Sequence, residues 1–202
     1  MASMTMEEVK EALSPYHDRI KQVVTNGYKE WRTVEDFRLA AGFGPTLYPR
    51  TIANSVFDAI ARNSRGAFGG DRNIRIHYET QTIKCIFDNT VIARFKKGDD
   101  GHLGQNIPTQ AVMDYLDPQH TLPGFPPAAK VEIMWKADDL GTAIEEVTVA
   151  ARDGKHLLWS YRIEDAEEGV RAGVVELPLG PTPGEFSPLV VARPRKTERE
   201  SK

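Results

Sequence analysis

The hydrophobic positions follow two different periods, and the period changes near residue 72. Met6, Val9, Leu13, Tyr16, Ile20, Val23 and Val24 recur in steps of three and four, which places them on one face of a helix. Thr5 followed by Glu8 forms a capping-box pattern at its start. Ser14-Pro15 suits either a kink or the beginning of a second helix, and Asn26-Gly27 is a stop signal. A further helix is expected from Thr33, capped through Asp36, to Gly42. Another is expected from Pro49, with Ile52, Val56, Phe57 and Ile60 on one side, ending at Asn63, Ser64 and Gly66. None of these stripes is apolar all round, so each helix must cover something else.

Beyond residue 72 the period is two. Ile74, Ile76 and Tyr78 alternate with polar residues, as do positions 82–87 and 90–97, with Asp88-Asn89 as a tight hairpin turn. Val131, Ile133 and Trp135 alternate next. Ile144, Val147 and Val149 follow, then Leu157, Trp159 and Tyr161, the last two runs joined by Asp153-Gly154. A polar, glycine-rich loop from Gly98 to Asn106 and a short helix near 108–116 separate these clusters. Leu122-Pro123-Gly124-Phe125-Pro126-Pro127 reads as a rigid connector. The pattern predicts an α+β fold, with N-terminal helices packed on a mainly antiparallel sheet made of a hairpin ribbon and a three-stranded meander. The expected layout is a helical region over 6–66 and a β-rich region over 72–165, together one domain. A proline-rich tail over 175–202 is expected to be extended and partly disordered.

Composition narrows the class of protein. A chain of 202 residues is long enough for one sizeable core, and its formal charge of −3 excludes a global basic field for nucleic acid. The single cysteine, Cys85, lies in an alternating apolar run and forms no intrachain disulfide, which points to a reducing compartment. No run approaches the roughly 20 apolar residues of a membrane span. Glu7 and Glu8 stand where a secretory signal would be basic, and Met6 is a candidate natural start. A soluble cytoplasmic protein is expected.

Catalytic chemistry leaves no pattern. His17, His77, His102, His120 and His156 are scattered without HxH or HxxxH spacing, and there is no CxxC, so no metal site is predicted. There is no GxSxG elbow. The loop around Gly98-Asp99-Asp100-Gly101 carries aspartates where a phosphate loop needs Gly-Lys-Ser/Thr. The paired carboxylates Asp99/Asp100, Asp138/Asp139, Glu145/Glu146 and Glu167/Glu168 read as solvated surface. No catalytic residue and no cofactor is assigned. The best polar signal is basic. Arg94 and Lys96 share one face of a strand opposite Phe95 and Lys97, with Arg72 and Arg75 on the neighbouring strand. As an exposed strip these would hold an acidic protein surface or a nucleic acid strand. Simple protection of a strand edge is the plainer alternative.

A resemblance runs through Ala93-Arg94-Phe95-Lys96-Lys97, Asn106-Ile107-Pro108-Thr109-Gln110, Leu122-Pro123-Gly124-Phe125-Pro126, Gly141-Thr142-Ala143-Ile144-Glu145-Glu146-Val147 and Trp159-Ser160. This succession, over about residues 74–190, resembles a little-characterised group of bacterial proteins encoded beside an IrrE-like zinc-metallopeptidase-domain protein. They are thought to neutralise that toxin-like neighbour. The resemblance implies an antitoxin-like role in bacterial defence, without a catalytic set to carry over, and the chain lacks HExxH itself. The expected function is therefore partner binding, through Arg94, Lys96 and Lys97 as charged contacts and Trp135, Trp159 and Tyr161 as apolar anchors if exposed. The rival readings are a nucleic-acid-binding module that represses its own operon, with helices between 34 and 62, and an enzyme whose site is assembled from distant residues.

Overall fold

A computed structural model describes residues 4–99, 101, 104 and 109–164, all within one compact unit spanning 1–169. The tail over 175–202, Pro108 and most of the Gly98–Asn106 loop lie outside the described residues. The chain is an α+β fold in which three helices cover one face of a six-stranded sheet.

Helix α1 (Met6–Leu13) opens on the predicted capping box. Thr5 Oγ1 accepts from the Glu8 amide at 3.3 Å, and Glu8 Oε2 accepts from the Thr5 amide at 2.7 Å. Pro15 produces one 3-10 turn (Ser14–Tyr16), after which α2 runs unbroken from His17 to Ala40. The stop expected at Asn26-Gly27 is absent, and so is the separate helix from Thr33. Thr33 Oγ1 instead donates to Lys29 O, and Asp36 pairs with Arg32. Gly27 serves another purpose: a Cβ there would lie 2.7 Å from Ile60 Cγ1 on α3 (Pro49–Phe68). It is the point of close approach between the two long helices.

Strands β1 (Ile74–Glu79), β2 (Thr82–Phe87), β3 (Val91–Lys97), β4 (Ala129–Ala137), β5 (Ile144–Asp153) and β6 (His156–Arg162) lie side by side in chain order. Asp88 and Asn89 adopt φ of +49° and +57°, the left-handed geometry of a tight turn, and the Thr90 amide donates to Phe87 O at 2.9 Å, so residues 88–90 join Phe87 to its partner Val91. Every neighbouring pair is antiparallel except β3 and β4, which run parallel with Val91 opposite Ala129 and Lys97 opposite Trp135. A parallel pair needs a long crossover. Residues 98–128 supply it, with α4 (Gln110–Leu116) capped by Thr109.

Alternation along the strands divides the residues between two layers. Cys85, Phe87, Ala93, Phe95, Val131, Ile133, Trp135, Val147 and Val149 face α1–α3 and form the main core. Ring contacts Tyr16–Phe87, Phe68–Phe87 and Tyr28–Trp135, with centroids 5.2, 5.8 and 5.7 Å apart, seat the helices on the sheet. His17 Nε2 lies 3.1 Å from the Tyr161 hydroxyl at the β6 side. The opposite face is covered in part by α4 and the connector, through Ile86, Ile92, Tyr115, Leu116 and Leu122.

Cys85 is wholly buried in the main core, and burial pushes its thiol up to about 12. The thiolate is the reactive form. Ellman's reagent is therefore expected to find no thiol in the folded chain and one equivalent in denaturant. Rapid labelling of native protein would contradict this placement.

Candidate functional site

The predicted basic strip is not on the surface. Arg94 is 5% exposed, and both its Nε and Nη2 donate to Glu132 Oε1, at 3.1 and 2.7 Å. Glu132 Oε2 accepts from Arg152 Nη1 at 2.9 Å, so one carboxylate lies between two guanidiniums. The Arg94 guanidinium also sits 4.3 Å above the ring of Tyr115. The Tyr115 hydroxyl is within bonding distance of Ile92 O (2.9 Å) and Val131 O (2.6 Å). Burial by itself would raise the Glu132 pKa. The charges and hydrogen bonds of Arg94 and Arg152 outweigh it and hold the carboxyl below its usual range. Lys96, on the same sheet face and half-buried, is pushed down by burial and by the neighbouring Arg94.

This arrangement corrects three of the expected contacts. Arg94 serves an internal network and is not available as a surface charge. Trp135 is 2% exposed and packs against Tyr28, so it is no surface anchor. Tyr161 is buried against His17, with Trp159 half-buried and stacked on it at 6.3 Å. Of the six, Lys97 is exposed, its ammonium 5.8 Å from the Trp135 ring centroid, and Lys96 reaches solvent in part. Arg75 lies on β1 and bonds Asn89 Oδ1, while Arg72 sits in the turn before that strand. The structure therefore does not gather a basic surface ribbon here.

A different surface is left uncovered. Helix α2 has 24 residues and a length of about 36 Å at 1.5 Å per residue. Its first half buries Ile20, Val23, Val24 and Tyr28, and its second half carries the stripe onward through Val34 and Phe37. There the stripe is bare. Val34, Phe37, Phe43, Leu47 and Tyr48, at the end of α2 and in the 41–48 connector to α3, are between 63% and 76% exposed. The connector itself is pinned. Both oxygens of Glu35 take hydrogen bonds from Thr46, one from its amide at 2.6 Å and one from its hydroxyl at 2.8 Å. Arg38 Nε donates to Gly44 O at 2.7 Å. The hydrogen bonds from Thr46 hold the Glu35 carboxyl below its ordinary range. Arg32 is paired with Asp36, whereas Arg38 engages a neutral carbonyl, so the tip is an apolar patch with cationic edges at Arg38 and Arg50.

The eight residues between α2 and α3 exceed the three or four of a helix-turn-helix, and the two helices run back along each other from Gly27/Ile60 to Glu35/Thr46. Among the described residues no group of three or more His, Cys, Asp or Glu side chains is close enough to hold a metal ion, and no helix is long and apolar enough to cross a membrane. Reading the residues in order missed Glu132 and Arg152, because a charged residue alternating with apolar ones looks like the wet side of a strand. It also missed the tip. Five large apolar residues between Val34 and Tyr48 were the available signal, two continuing the stripe of α2 and three beside Gly42, Gly44 and Pro45.

Fold and surface together define an α+β protein whose helical layer extends a rigid hairpin with an apolar end. Comparison with known proteins adds no relative: no family model, no curated protein and no solved structure matches the chain.

Proposed function

We propose that this chain is a non-catalytic binding protein, an antitoxin-like neutraliser of a bacterial toxin or defence protein in the cytoplasm, and that it grips its partner with the α2–α3 hairpin tip. The observation that carries the reading is the tip itself. Large exposed apolar clusters are uncommon on proteins that work alone, and they mark contact sites. Phe37, Phe43 and Tyr48 are the side-chain types that dominate binding energy when a partner encloses them. The hydrogen bonds from Thr46 to Glu35 and from Arg38 to Gly44 hold the loop before contact, which reduces the ordering cost of association.

The occupant is a protein surface with an apolar pocket bordered by carboxylates, matching the apolar residues and the flanking Arg38 and Arg50. The sequence resemblance names the candidate: the IrrE-like metallopeptidase-domain protein encoded alongside. Co-expression with that neighbour is expected to give a co-purifying complex and to relieve its toxicity. The double variant F37E/L47E is expected to weaken the complex by about 100-fold or more, at two contact residues of about 2 kcal/mol each. Its own unfolding free energy should change by less than about 0.5 kcal/mol, since both residues are exposed. Absence of a complex and of relief would sink the function. An unweakened complex in F37E/L47E would move the contact elsewhere.

A further inference from the structure

The sheet is open, with β1 and β6 as its two edges. An edge strand presents a row of backbone donors and acceptors, which proteins blunt with proline, lysine or a bulge. The pairing that leads to β6 is irregular, with a register shift at Ala151/Arg152. β1 has none of these devices. Its sequence is Ile-Arg-Ile-His-Tyr-Glu, and it pairs with β2 without a shift from Ile74 opposite Phe87 to Glu79 opposite Thr82.

The outward groups can be assigned. The Asp88 amide donates to Asn73 O at 2.8 Å, so odd-numbered residues turn their backbone groups to β2 and even-numbered ones turn theirs to the open side. The Ile74 amide is taken by Asp71 O. The N–H and C=O of Ile76 and Tyr78 face outward, and no described backbone group bonds them. Side chains divide the same way. Ile74 and Ile76 pack on the helix side, with Tyr78 following them at 55% exposed. Arg75, His77 and Glu79 lie on the other face, where the His77 ring meets Phe125 edge-on at 4.8 Å. Arg75 spends Nη2 on Asn89, and Glu79 takes Lys84 at Oε1, so each keeps bonding capacity.

We propose that this edge pairs with a second copy of the chain, β1 against β1, antiparallel about a two-fold axis at His77. That register sets Ile76 opposite Tyr78 of the second copy, and these are the residues whose outward N–H and C=O groups are open to exchange. It also sets Arg75 opposite Glu79 twice, an opposite-charge pair on each side of the axis. Moving the axis two residues in either direction would set Arg75 against its own copy, or Glu79 against its own. Charge thus selects the His77 register. One short strand pair makes a small interface, so a dissociation constant of about 10–100 µM is expected. The proposal is independent of the hairpin tip.

The test is sedimentation equilibrium of the full chain from about 1 to 300 µM, which should show a monomer–dimer equilibrium. Y78P removes an N–H that faces away from β2, so the variant should stay folded by thermal unfolding and remain monomeric throughout. R75E, at an exposed position, sets like charges opposite each other and should weaken the dimer about tenfold. The register is read by cysteine. In H77C the two Cα atoms lie about 4.5–5.5 Å apart across the axis, within reach of a disulfide, whereas in R75C they are about 13 Å apart. Mild oxidation should cross-link H77C and not R75C, and the buried Cys85 stays out of the reaction. A chain that is monomeric at about 300 µM, a dimer indifferent to R75E, or equal cross-linking of H77C and R75C would overturn the assignment. So would a dimer broken by F37E/L47E, which would place self-association at the hairpin tip.

Discussion

Replacing Glu132 by glutamine is expected to destabilise the protein by about 3–5 kcal/mol, a large part of the 5–15 kcal/mol typical of a domain. The side chain is 1% exposed and receives the guanidiniums of both Arg94 and Arg152. A neutral amide keeps the shape and removes the charge that compensates two buried cations. Urea unfolding followed by circular dichroism would measure it. The triple variant R94M/E132L/R152M is expected to recover most of the loss, since an apolar trio of similar volume carries no desolvation cost. A loss below about 1 kcal/mol in E132Q would mean that the cluster is hydrated and not a dry network.

The same network sets an acid limit. Glu132 has a folded pKa held below its ordinary value of 4.5, so its contribution is complete above that value. It is lost as pH falls through the lower, folded value. Wild-type protein should therefore lose stability on acidification below about pH 4.5, and E132Q should show a shallower slope over that window. Parallel curves for the two proteins would place the acid sensitivity in other carboxylates.

Substitution of Gly27 is expected to rank next. In an isolated helix, glycine to alanine would gain about 1 kcal/mol. Here the new Cβ would lie 2.7 Å from Ile60 Cγ1 and 2.9 Å from the Ile60 amide nitrogen. The side chain can rotate away, but the backbone of α3 cannot. G27A is therefore expected to cost about 1–3 kcal/mol, and G27L more. I60A should rescue G27A in part, because it removes Cγ1 and leaves the amide in place. Forcing α2 and α3 apart would also displace the connector that Glu35 and Thr46 hold, so partner binding should weaken alongside stability. A stabilised G27A would show that the helices part easily and that the hairpin is not rigidly built.

Much of the architecture was legible from residue order, because the determinants are local. The capping box at Thr5 and Glu8, the left-handed pair Asp88-Asn89 and the alternation of all six strands each require information from a few neighbouring residues. Where sequence reasoning failed, the deciding partner was distant. Asn26-Gly27 carries the composition of a helix stop, yet Ile60, thirty-three positions away, makes that glycine an interior contact. The ribbon and the meander were each recognisable, but their parallel junction at β3 and β4 depends on how the 98–128 crossover returns.

The candidate sites divide in the same way. Local pattern determined that Arg94 and Lys96 lie on the opposite sheet face from Phe95, since side-chain direction along a strand has a period of two. Whether that face meets water depends on which chain segment covers it, and only the tertiary structure placed α4 and the 118–128 segment there. The same holds at the hairpin tip. Apolar residues at Val34, Phe37, Phe43, Leu47 and Tyr48 are plain in the sequence. Their exposure follows from α2 outrunning the sheet beneath it, a matter of lengths and packing among elements far apart in the chain. Local order thus determined the elements and their faces, and long-range packing decided which faces were left for other molecules.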